Sequence, residues 1–496
     1  MPAFGVLEIV MLFTSFEYAL FLPAIVLLYW VLPRAARLPM LLVASYGFYM
    51  SWIPAFILLI LPLTVFNWVY GSFLHKATAN RKFVFGLGIV INLLVLGLFK
   101  YANFAIQSVA GMVHLVTHHA PHCTLDIILP LGISFFTFEF IHYLFEIYRG
   151  NKPIDSFVLF ALYAAFFPTQ IAGPIKRYPD FVAQMLEERK LRLTYFDEGL
   201  PLIIVGLAKK LLLADNLATL VQMGFQHATH GSYSAPELWV FTWAFAFQIY
   251  FDFSGYTDIA RGSAMLFGYH IPINFNMPYM ASNISNFWHR WHISLSTWLR
   301  DYLFIPLGGS RAKHWQVNRN LLITMALGGL WHGASWNFVV WGIYHGLLLV
   351  VHREFTTWTN KMPALRKAID SKAGNLMSMF ITFQAVCIGW VFFRVTNIAD
   401  CFSIVKRMML LRPFKTAVEA QQGYLILSEK LPVIVPVTLI MVAALLVLNL
   451  PISFANEKGW FRAAPPLLKS AFCAVAVVLI VIFLPDGNQP FIYFQF

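Results

Sequence analysis

Long apolar runs recur along the whole chain, and they restrict its fold more than any other feature of the sequence. Hydrophobic residues make up 59% of the 496 residues and charged residues only 12%, whereas soluble domains usually carry about 25% charged residues. A helix needs about 20 apolar residues to cross a hydrocarbon core of about 30 Å. The runs that approach this length are 16–32, 38–52, 55–70, 83–99, 157–171, 200–213, 238–251, 321–351, 376–395, 431–450 and 467–485. The sequence therefore predicts an all-α polytopic membrane protein with about 10 to 12 transmembrane helices, some of them tilted or broken.

The apolar runs are not separated by a low-complexity linker or by a polar segment of the size of a soluble domain. The sequence also shows no convincing internal repeat. We therefore predict a single integral membrane domain over residues 1–496. The first run lacks the basic leader and the small-residue cleavage site of a secretory signal, so we expect 16–32 to be a retained membrane helix.

Positive charge is distributed over the loops. The formal net charge is +12, but the basic residues form no stripe beside aromatic residues on a soluble face. This distribution argues against nucleic acid as a partner and favours the cytoplasmic leaflet and anionic small molecules. The cysteines form neither a CxxC pair nor a disulfide framework, so they carry little redox information. They are Cys123, Cys387, Cys401 and Cys473.

One histidine stands inside a strongly apolar run. His332 lies within the run 321–351, and an ionisable side chain at membrane depth is costly unless it has a function. Between residues 248 and 319 the sequence is dense in aromatic residues, Asn, His, Arg and Gly. Irregular polar backbone is tolerated at this depth only where it is buried in protein or lines a wet cavity. We therefore expect a cavity or tunnel in this region, with His332 as the first candidate for chemistry.

A second histidine pair lies in the segment 287–301, which contains two arginines and three tryptophans. His289 and His292 are three residues apart, a spacing that can chelate a metal when further ligands complete the shell. Nothing nearby supplies those ligands, so we predict no metal. His292 is better interpreted as an acid–base or positioning partner of His332, because 40 residues allow the chain to turn back.

Several long motifs carry a family resemblance. They are QIYFDFSGYTDIARG (248–262), NFNMPY (274–279), FWHRWHISLSTWLRD (287–301) and GLWHGASWNF (329–338), with LPLGISFFTFE (129–139), YRG (148–150), AGPI (172–175) and GLAKK (206–210) upstream. Together they resemble the membrane-bound O-acyltransferase family, in its bacterial alginate O-acetylation branch. The motif core covers about 129–352, within a resemblance that covers most of the chain.

The resemblance implies a helical bundle with re-entrant or interfacial helices around a central tunnel. It also implies an enzyme of the bacterial cytoplasmic (inner) membrane that takes acetyl from cytoplasmic acetyl-CoA and passes it across the bilayer for O-acetylation of an alginate-like exopolysaccharide. The family histidines fall on His332 and His292, with His332 the more strictly required. The implied partners are the lipid bilayer and an extracytoplasmic SGNH-type acetyltransferase or other polymer-modification proteins.

The residue types agree with acyl transfer. A hydroxyl becomes a good nucleophile when a base removes its proton, and histidine suits that task. Thioesters are already activated acyl donors, so no metal cofactor is expected. The oxyanion needs hydrogen-bond donors, for which Asn337, Trp336 or a backbone N–H near Gly333 are candidates.

Cationic residues are candidates for contacts with the coenzyme A phosphates. Ordinary positive-inside topology explains any one of them equally well, and the sequence contains no Walker A or GxGxxG pattern. The candidates are Lys176 and Arg177 after the AGPI turn, and Arg311, Lys313 and Arg319 after the Gly308–Gly309 turn.

The chain ends in a short aromatic tail, 486–496, that resembles a terminal motif of the same branch. The resemblance implies that Tyr493 accepts the acyl group as an ester and relays it to an extracytoplasmic transferase; the alternative is an interfacial aromatic anchor. The basic residues between 396 and 430 conflict with the topology that the relay requires. A re-entrant or interfacial helix at 401–411 is one resolution.

Other polar residues have structural interpretations. We expect Asp252, Asp258 and Arg261, of which the last two are three residues apart, to form a structural ion pair or part of the tunnel wall. Glu139, His142 and Glu146 should share one helical face. A denser His and Cys set in one loop is interpreted as adventitious metal binding or interface polarity. Its members are His114, His118, His119, His122 and Cys123.

Two other functional interpretations stay open. Within the enzyme class, the acceptor is peptidoglycan, cellulose or another glycan instead of alginate. Outside it, the chain is a polytopic transporter or an export scaffold. A transporter would usually show paired repeats with matching interrupted helices, which are not visible here, and a scaffold would not require His332.

Overall fold

The computed structural model describes residues 11–118, 124–228, 233–410, 464–483 and 491–492. The described residues form helices, short helical turns and loops, with no β-strand among them. The prediction of an all-α membrane protein is confirmed. The chain divides into two compact units, one made of Met1–Ile203 with Tyr256–Pro272 and the other of Ile204–Gly255 with Ile273–Phe496. The predicted single domain over 1–496 stays a prediction.

The first unit is built from the helices of the N-terminal part of the chain. A 3₁₀ turn at Pro54–Phe56 leads into the third helix, and a π-helical segment at Gly97–Tyr101 joins the fourth to the fifth. The helices are α1 (Phe16–Val31), α2 (Arg34–Met50), α3 (Ile57–Lys76), α4 (Arg81–Leu96), α5 (Ala102–Thr117), α6 (Ile133–Tyr148), α7 (Phe157–Ala165), α8 (Tyr178–Leu186) and α9 (Leu193–Leu207). The last four residues of α9 belong to the second unit.

The second unit contains the remaining helices. They are α10 (Asp215–Ala228), α11 (Ala235–Leu266), α12 (Ile284–Trp288), α13 (Ile293–Leu299), α14 (His314–His332), α15 (Trp336–Thr359), α16 (Pro363–Asp370), α17 (Lys372–Arg394), α18 (Ile398–Met409) and α19 (Pro466–Ile482). Residues from 256 onward in α11 fall in the first unit. Short helical segments also occur in this unit at Ala208–Ala214, Pro278–Met280, Arg300–Phe304 and Gly309–Arg311.

Three described helical segments are long and apolar enough to cross a membrane: Pro54–Lys76, Arg81–Thr117 and Lys372–Arg394. Two shorter apolar helices, α1 and α19, lie over the predicted runs 16–32 and 467–485. The predicted run 431–450 lies outside the described residues. The other predicted runs coincide with helices that fall below this length or hydropathy, so the count of 10 to 12 stays a prediction.

The apolar run 321–351 forms two helices with a break between them. Helix α14 ends at His332, and Ser335 starts α15 by accepting a hydrogen bond of 3.2 Å from the Asn337 N–H. Two glycines let the helix backbones approach closely. A Cβ atom would lie 2.2 Å from the Phe338 carbonyl oxygen if added to Gly329, and 2.2 Å from the Met325 carbonyl oxygen if added to Gly342.

Buried polar side chains in the first unit form an ion pair and hydrogen bonds with neighbouring groups. The Lys176 ammonium lies 2.8 Å from a Glu139 carboxylate oxygen and 2.7 Å from the Thr169 hydroxyl. His142 accepts a hydrogen bond of 3.4 Å from the Tyr178 N–H through Nε2. These contacts fasten α6 to the loop that precedes α8, and they satisfy groups that would otherwise be costly to bury.

The predicted ion pair between Asp258 and Arg261 is present, with an N–O distance of 3.6 Å. Glu146, on the same face of α6 as Glu139, pairs with Arg149 at 2.9 Å and accepts a hydrogen bond of 2.8 Å from Asn151. Both interactions connect neighbouring turns of the chain. They are structural contacts within the first unit.

Candidate active site

His332 is the last residue of α14, and its side chain is buried at 6% exposure. Three aromatic rings surround the imidazole: the centroid of Trp331 lies at 5.0 Å, that of Trp341 at 5.1 Å and that of Phe393 at 5.4 Å. The break after α14 is what turns α15 back so that Trp341 contacts this ring. His332 therefore sits in an aromatic environment formed by α14, α15 and α17.

His292 is fully buried and occupies an unusual backbone conformation. Its φ of 43° and ψ of 54° place it in the left-handed region, where a residue other than glycine needs support from its surroundings. Buried Asn274 supplies that support. Its carbonyl oxygen accepts the Ile293 N–H at 3.0 Å, and its side-chain oxygen accepts the Ser294 hydroxyl at 2.6 Å. The NFNMPY motif thus fixes the turn that carries His292.

The two predicted catalytic histidines come together in the second unit. Their ring centroids are 6.4 Å apart, and Trp331 contacts both, at 5.0 Å from His332 and 6.1 Å from His292. Phe253 covers another side of His292, with a centroid distance of 4.7 Å. The expectation that the chain turns back to bring these side chains together is in agreement with this geometry.

A pocket of about 250 Å³ opens beside His332. His332 and Trp341 form part of its wall together with Thr324 of α14, and Arg300 and His289 also line it. His292 is not among the lining residues. The arrangement therefore gives the two histidines different positions, with His332 in contact with the cavity and His292 behind it.

Three buried donor groups in the pocket wall have no hydrogen-bond partner among the described residues. Two of them are the Trp341 indole Nε1, on a side chain 1% exposed, and the Thr324 hydroxyl, on a side chain 6% exposed. Since buried donors are usually satisfied, these groups are available to a bound molecule. Trp288, which also lines the pocket, has a buried indole nitrogen of the same kind.

One arginine lies in the pocket wall. The Arg300 guanidinium contacts Asp301 through Nε at 2.7 Å, and its side chain is 54% exposed. Its two terminal amino groups make no ion pair or hydrogen bond within the described part of the chain. Sequence reasoning noted the arginines of 287–301 but did not single out Arg300, Thr324 or Trp341, because a sequence carries no information on which side chains share a cavity.

The predicted oxyanion candidates are placed elsewhere. The side-chain NH₂ of Asn337 donates to the Val395 carbonyl and lies 3.5 Å from the Cys401 sulfur, so its hydrogens are already engaged. Trp336 is 55% exposed, and neither residue lines the pocket. This geometry favours Trp341 and Thr324 over Asn337 and Trp336 as donors to a reacting carbonyl.

The predicted phosphate contacts divide between the units. Lys176 is 1% exposed and engaged by Glu139, which favours a structural role, and Arg177 precedes α8 in the first unit. Arg311, Lys313 and Arg319 are exposed near the start of α14. His332 ends this helix of 19 residues, so about 28 Å of helix separates the imidazole from Lys313 and about 20 Å separates it from Arg319. Arg300 is the cationic side chain that shares the pocket with His332.

Some predicted features lie outside the described residues. These are Tyr493, most of the aromatic tail 486–496, the segment 411–430, and His119, His122 and Cys123. The predicted helix at 401–411 corresponds to α18, whose buried face is formed by Cys401, Ile404 and Met408. Within the described residues, no group of three or more His, Cys, Asp or Glu side chains is arranged to hold a metal.

Comparison with known proteins shows the family. The model of the membrane-bound O-acyltransferase family matches residues 135–393, which include both histidines and all of the described pocket-lining residues. The chain belongs to the membrane-bound O-acyltransferase family. The resemblance inferred from the motifs is confirmed, and the chain is a membrane O-acyltransferase.

Three relatives of this chain illustrate the range of acceptors within the family. The chain is 41% identical to the probable alginate O-acetylase of Pseudomonas aeruginosa, over 78% of this chain and 73% of that protein. It is 36% identical to the peptidoglycan O-acetyltransferase of Helicobacter pylori, over 78% of each chain. It is 31% identical to the teichoic acid D-alanyltransferase of Bacillus subtilis, over 66% of this chain and 81% of that protein.

Proposed function

We propose that the chain transfers acetyl from acetyl-CoA, taken up on the cytoplasmic side of the bacterial inner membrane, to a hydroxyl group. The acetyl group is destined for O-acetylation of an alginate-like exopolysaccharide. The observation that carries this proposal is the pocket beside His332. The His332 imidazole lines it together with two hydrogen-bond donors, on Trp341 and Thr324, that have no partner among the described residues.

The size of the pocket supports a short acyl group. Its volume of about 250 Å³ is below the ~300–1,000 Å³ usual for sites that hold drug-sized ligands. It suits an acetyl thioester with part of the attached arm and leaves the nucleotide end of coenzyme A outside. Arg300 is positioned to meet an anionic or carbonyl group of that arm at the pocket wall.

His332 acts as the general base in this mechanism. Its neutral imidazole removes the proton of the acceptor hydroxyl while the oxygen attacks the thioester carbonyl. The negative charge that forms on the carbonyl oxygen is stabilised by the Trp341 N–H and the Thr324 hydroxyl. Collapse of the tetrahedral intermediate breaks the carbon–sulfur bond, and the imidazolium returns the proton to the leaving thiolate, so the products are an acetyl ester and free coenzyme A.

His292 is a positioning residue in this proposal, because it lies behind His332 and does not line the pocket. Its buried ring packs against Trp331, which in turn contacts His332, and this packing holds the His332 imidazole in its position. The acceptor hydroxyl belongs either to Tyr493, which then relays the acetyl ester to an SGNH-type transferase outside the membrane, or to a polymer or carrier. Similarity to the Helicobacter pylori protein supports peptidoglycan as the second candidate acceptor.

The test uses the purified full-length protein with acetyl-CoA labelled in the acetyl group. We expect release of free coenzyme A and appearance of the label on Tyr493, located by mass spectrometry, followed by its transfer to alginate when the extracytoplasmic partner is added. Label on peptidoglycan fragments in place of alginate would assign the second acceptor. Absence of thioester cleavage with every acceptor would contradict the proposal.

A further inference from the structure

A buried charge cluster lies in the second unit, separate from the pocket. The Lys210 ammonium is 2.7 Å from an Asp215 carboxylate oxygen and 2.8 Å from an Asp252 carboxylate oxygen. All three side chains are less than 9% exposed. One positive charge thus faces two carboxylates, and the second carboxylate needs a further donor to be stable in a buried position.

The end of the chain supplies that donor. The Ile492 N–H donates a hydrogen bond of 2.7 Å to the other oxygen of Asp252, across 240 residues of sequence. Phe491 and Ile492 are 4% and 5% exposed. A buried hydrogen bond from a backbone amide to a carboxylate is charge-assisted and therefore stronger than a neutral one.

Two neighbouring contacts lead from this end of the chain to the active site. The Phe491 ring lies 5.7 Å from the Phe253 ring, and the His292 imidazole lies 4.7 Å from the same ring. Phe253 follows Asp252 directly in α11. One turn of α11 thus contacts both features: its Asp252 carboxylate binds the tail, and its Phe253 ring packs against His292.

We propose that Asp252, Lys210 and Phe253 form a seat for the C-terminal end of the chain, and that an occupied seat holds His292 in its working position. The seat recognises a backbone N–H next to an aromatic side chain. Asp252 binds the Ile492 N–H. Phe253 contacts both the Phe491 ring and the His292 imidazole, and it limits the movement of His292 while the tail is bound. The second part of this inference rests on the proposed function, while the seat itself does not.

The seat is tested by digestion of the full-length protein with a carboxypeptidase. Digestion through Ile492 requires release of its amide from Asp252, so the rate follows the population of the released tail. The variant Asp252→Asn weakens a hydrogen bond to a charged group, and we expect digestion through position 492 to be about 10- to 100-fold faster. Intact-protein mass spectrometry measures the rate.

Asp215→Asn is the matched control, because it also removes a carboxylate from Lys210, and Asp215 makes no hydrogen bond with the described tail residues Phe491 and Ile492. It should be digested at close to the wild-type rate. Equal rates in Asp252→Asn and the wild type would overturn the seat, and so would equal acceleration in both variants, since that outcome indicates general loosening of the charge cluster.

A second pair of variants leaves the charge cluster intact. Ile492→Pro removes the donating N–H, whereas Ile492→Val keeps it and nearly preserves the buried side chain. Because carboxypeptidases remove proline poorly, tail release is measured for this pair as chymotrypsin cleavage after Tyr493, which should be about 10- to 100-fold faster in the proline variant alone. If the two variants behave alike, the hydrogen bond to Asp252 does not hold the tail.

The coupling to His292 is measured as thioester cleavage in a Tyr493→Phe background with a small added phenol, such as p-cresol, as the acceptor, so that any effect on acylation of the tail tyrosine is removed while an acceptor hydroxyl is still present. We expect Ile492→Pro to lower kcat about tenfold, equivalent to ~1.4 kcal/mol, with the KM for acetyl-CoA unchanged. Unchanged kcat with faster digestion would overturn the coupling while the seat stands. Full activity after replacement of His332 would instead overturn the proposed function and leave the seat intact.

Discussion

The paired cluster around Lys176 in the first unit and the pocket beside His332 in the second unit bury polar side chains in opposite ways. In the first unit, Lys176 is held by Glu139 and Thr169, and His142 accepts a backbone N–H. In the second unit, His332 stands among aromatic rings at the edge of a pocket whose buried donors have no partner within the described residues. The comparison teaches that burial of a polar side chain does not by itself mark a reactive site in a membrane protein. What marks it is a cavity lined by groups that the protein leaves available.

The first prediction compares a histidine that lines the pocket with a buried histidine that does not. His332→Gln keeps a polar side chain of similar size but removes the base, and we expect acyl transfer to fall about 10²- to 10⁴-fold. His345→Gln is the matched control, because His345 is fully buried and contacts the same Trp341 ring at 4.8 Å, yet it does not line the pocket. Its kcat per folded molecule should stay close to that of the wild type.

The second prediction concerns the paired cluster of the first unit. Lys176→Met leaves the Glu139 carboxylate buried without its partner, so we expect a loss of about 3–5 kcal/mol in the free energy of unfolding. Denaturant unfolding in detergent measures it, and acyl transfer per folded molecule should change little. The double variant Glu139→Gln/Lys176→Met removes the unpaired charge and should recover much of the loss. An increase in the KM for acetyl-CoA without a loss of stability would instead make Lys176 a donor contact.

The third prediction separates a hydrogen bond from a packing contact. Trp341→Phe keeps an aromatic ring beside His332 but removes the indole N–H, and we expect kcat to fall about 10²-fold. Trp390→Phe is the control, because Trp390 is equally buried and packs against Trp341 at 6.0 Å but does not line the pocket. Equal losses in both variants would assign the effect to packing.

The smallest expected effect is at Arg300. Arg300→Gln removes the charge in the pocket wall, and we expect the KM for acetyl-CoA to rise about tenfold with little change in kcat, because one charge-assisted contact is lost. Arg366→Gln serves as the control: Arg366 is a similarly exposed arginine, paired with Asp370 at 2.8 Å on α16. A change in kcat alone at Arg300 would place this residue in the chemical step.

The sequence predicted the features that depend on residues close together in the chain. Apolar runs predicted helices, and the motifs predicted the family and the pairing of His292 with His332. The break at residues 333–335 explains a further contact. His345 lies thirteen residues after His332, too far along a continuous helix to approach it, yet with the break the two histidines flank one Trp341 ring.

Features that depend on distant parts of the chain could not be predicted in this way. The Asp252 carboxylate was expected to be part of a structural pair or a tunnel wall, and nothing near it in sequence points to the Ile492 amide. In the same way, Asn337 is the conspicuous polar residue beside His332 in the motif, but its amide is engaged by Val395. Residue type predicted which chemistry was possible, while the fold decided which side chains remain available for it.

The central claim is that the pocket beside His332 holds the acyl end of the donor. Cryo-electron microscopy of the full-length protein with a ketone analogue of acetyl-CoA, in which a methylene separates the sulfur from the carbonyl, tests it directly. The account predicts the analogue's carbonyl within hydrogen-bonding distance of Trp341 or Thr324, and its carbonyl carbon next to the His332 imidazole. An analogue bound with its acyl end elsewhere would contradict it.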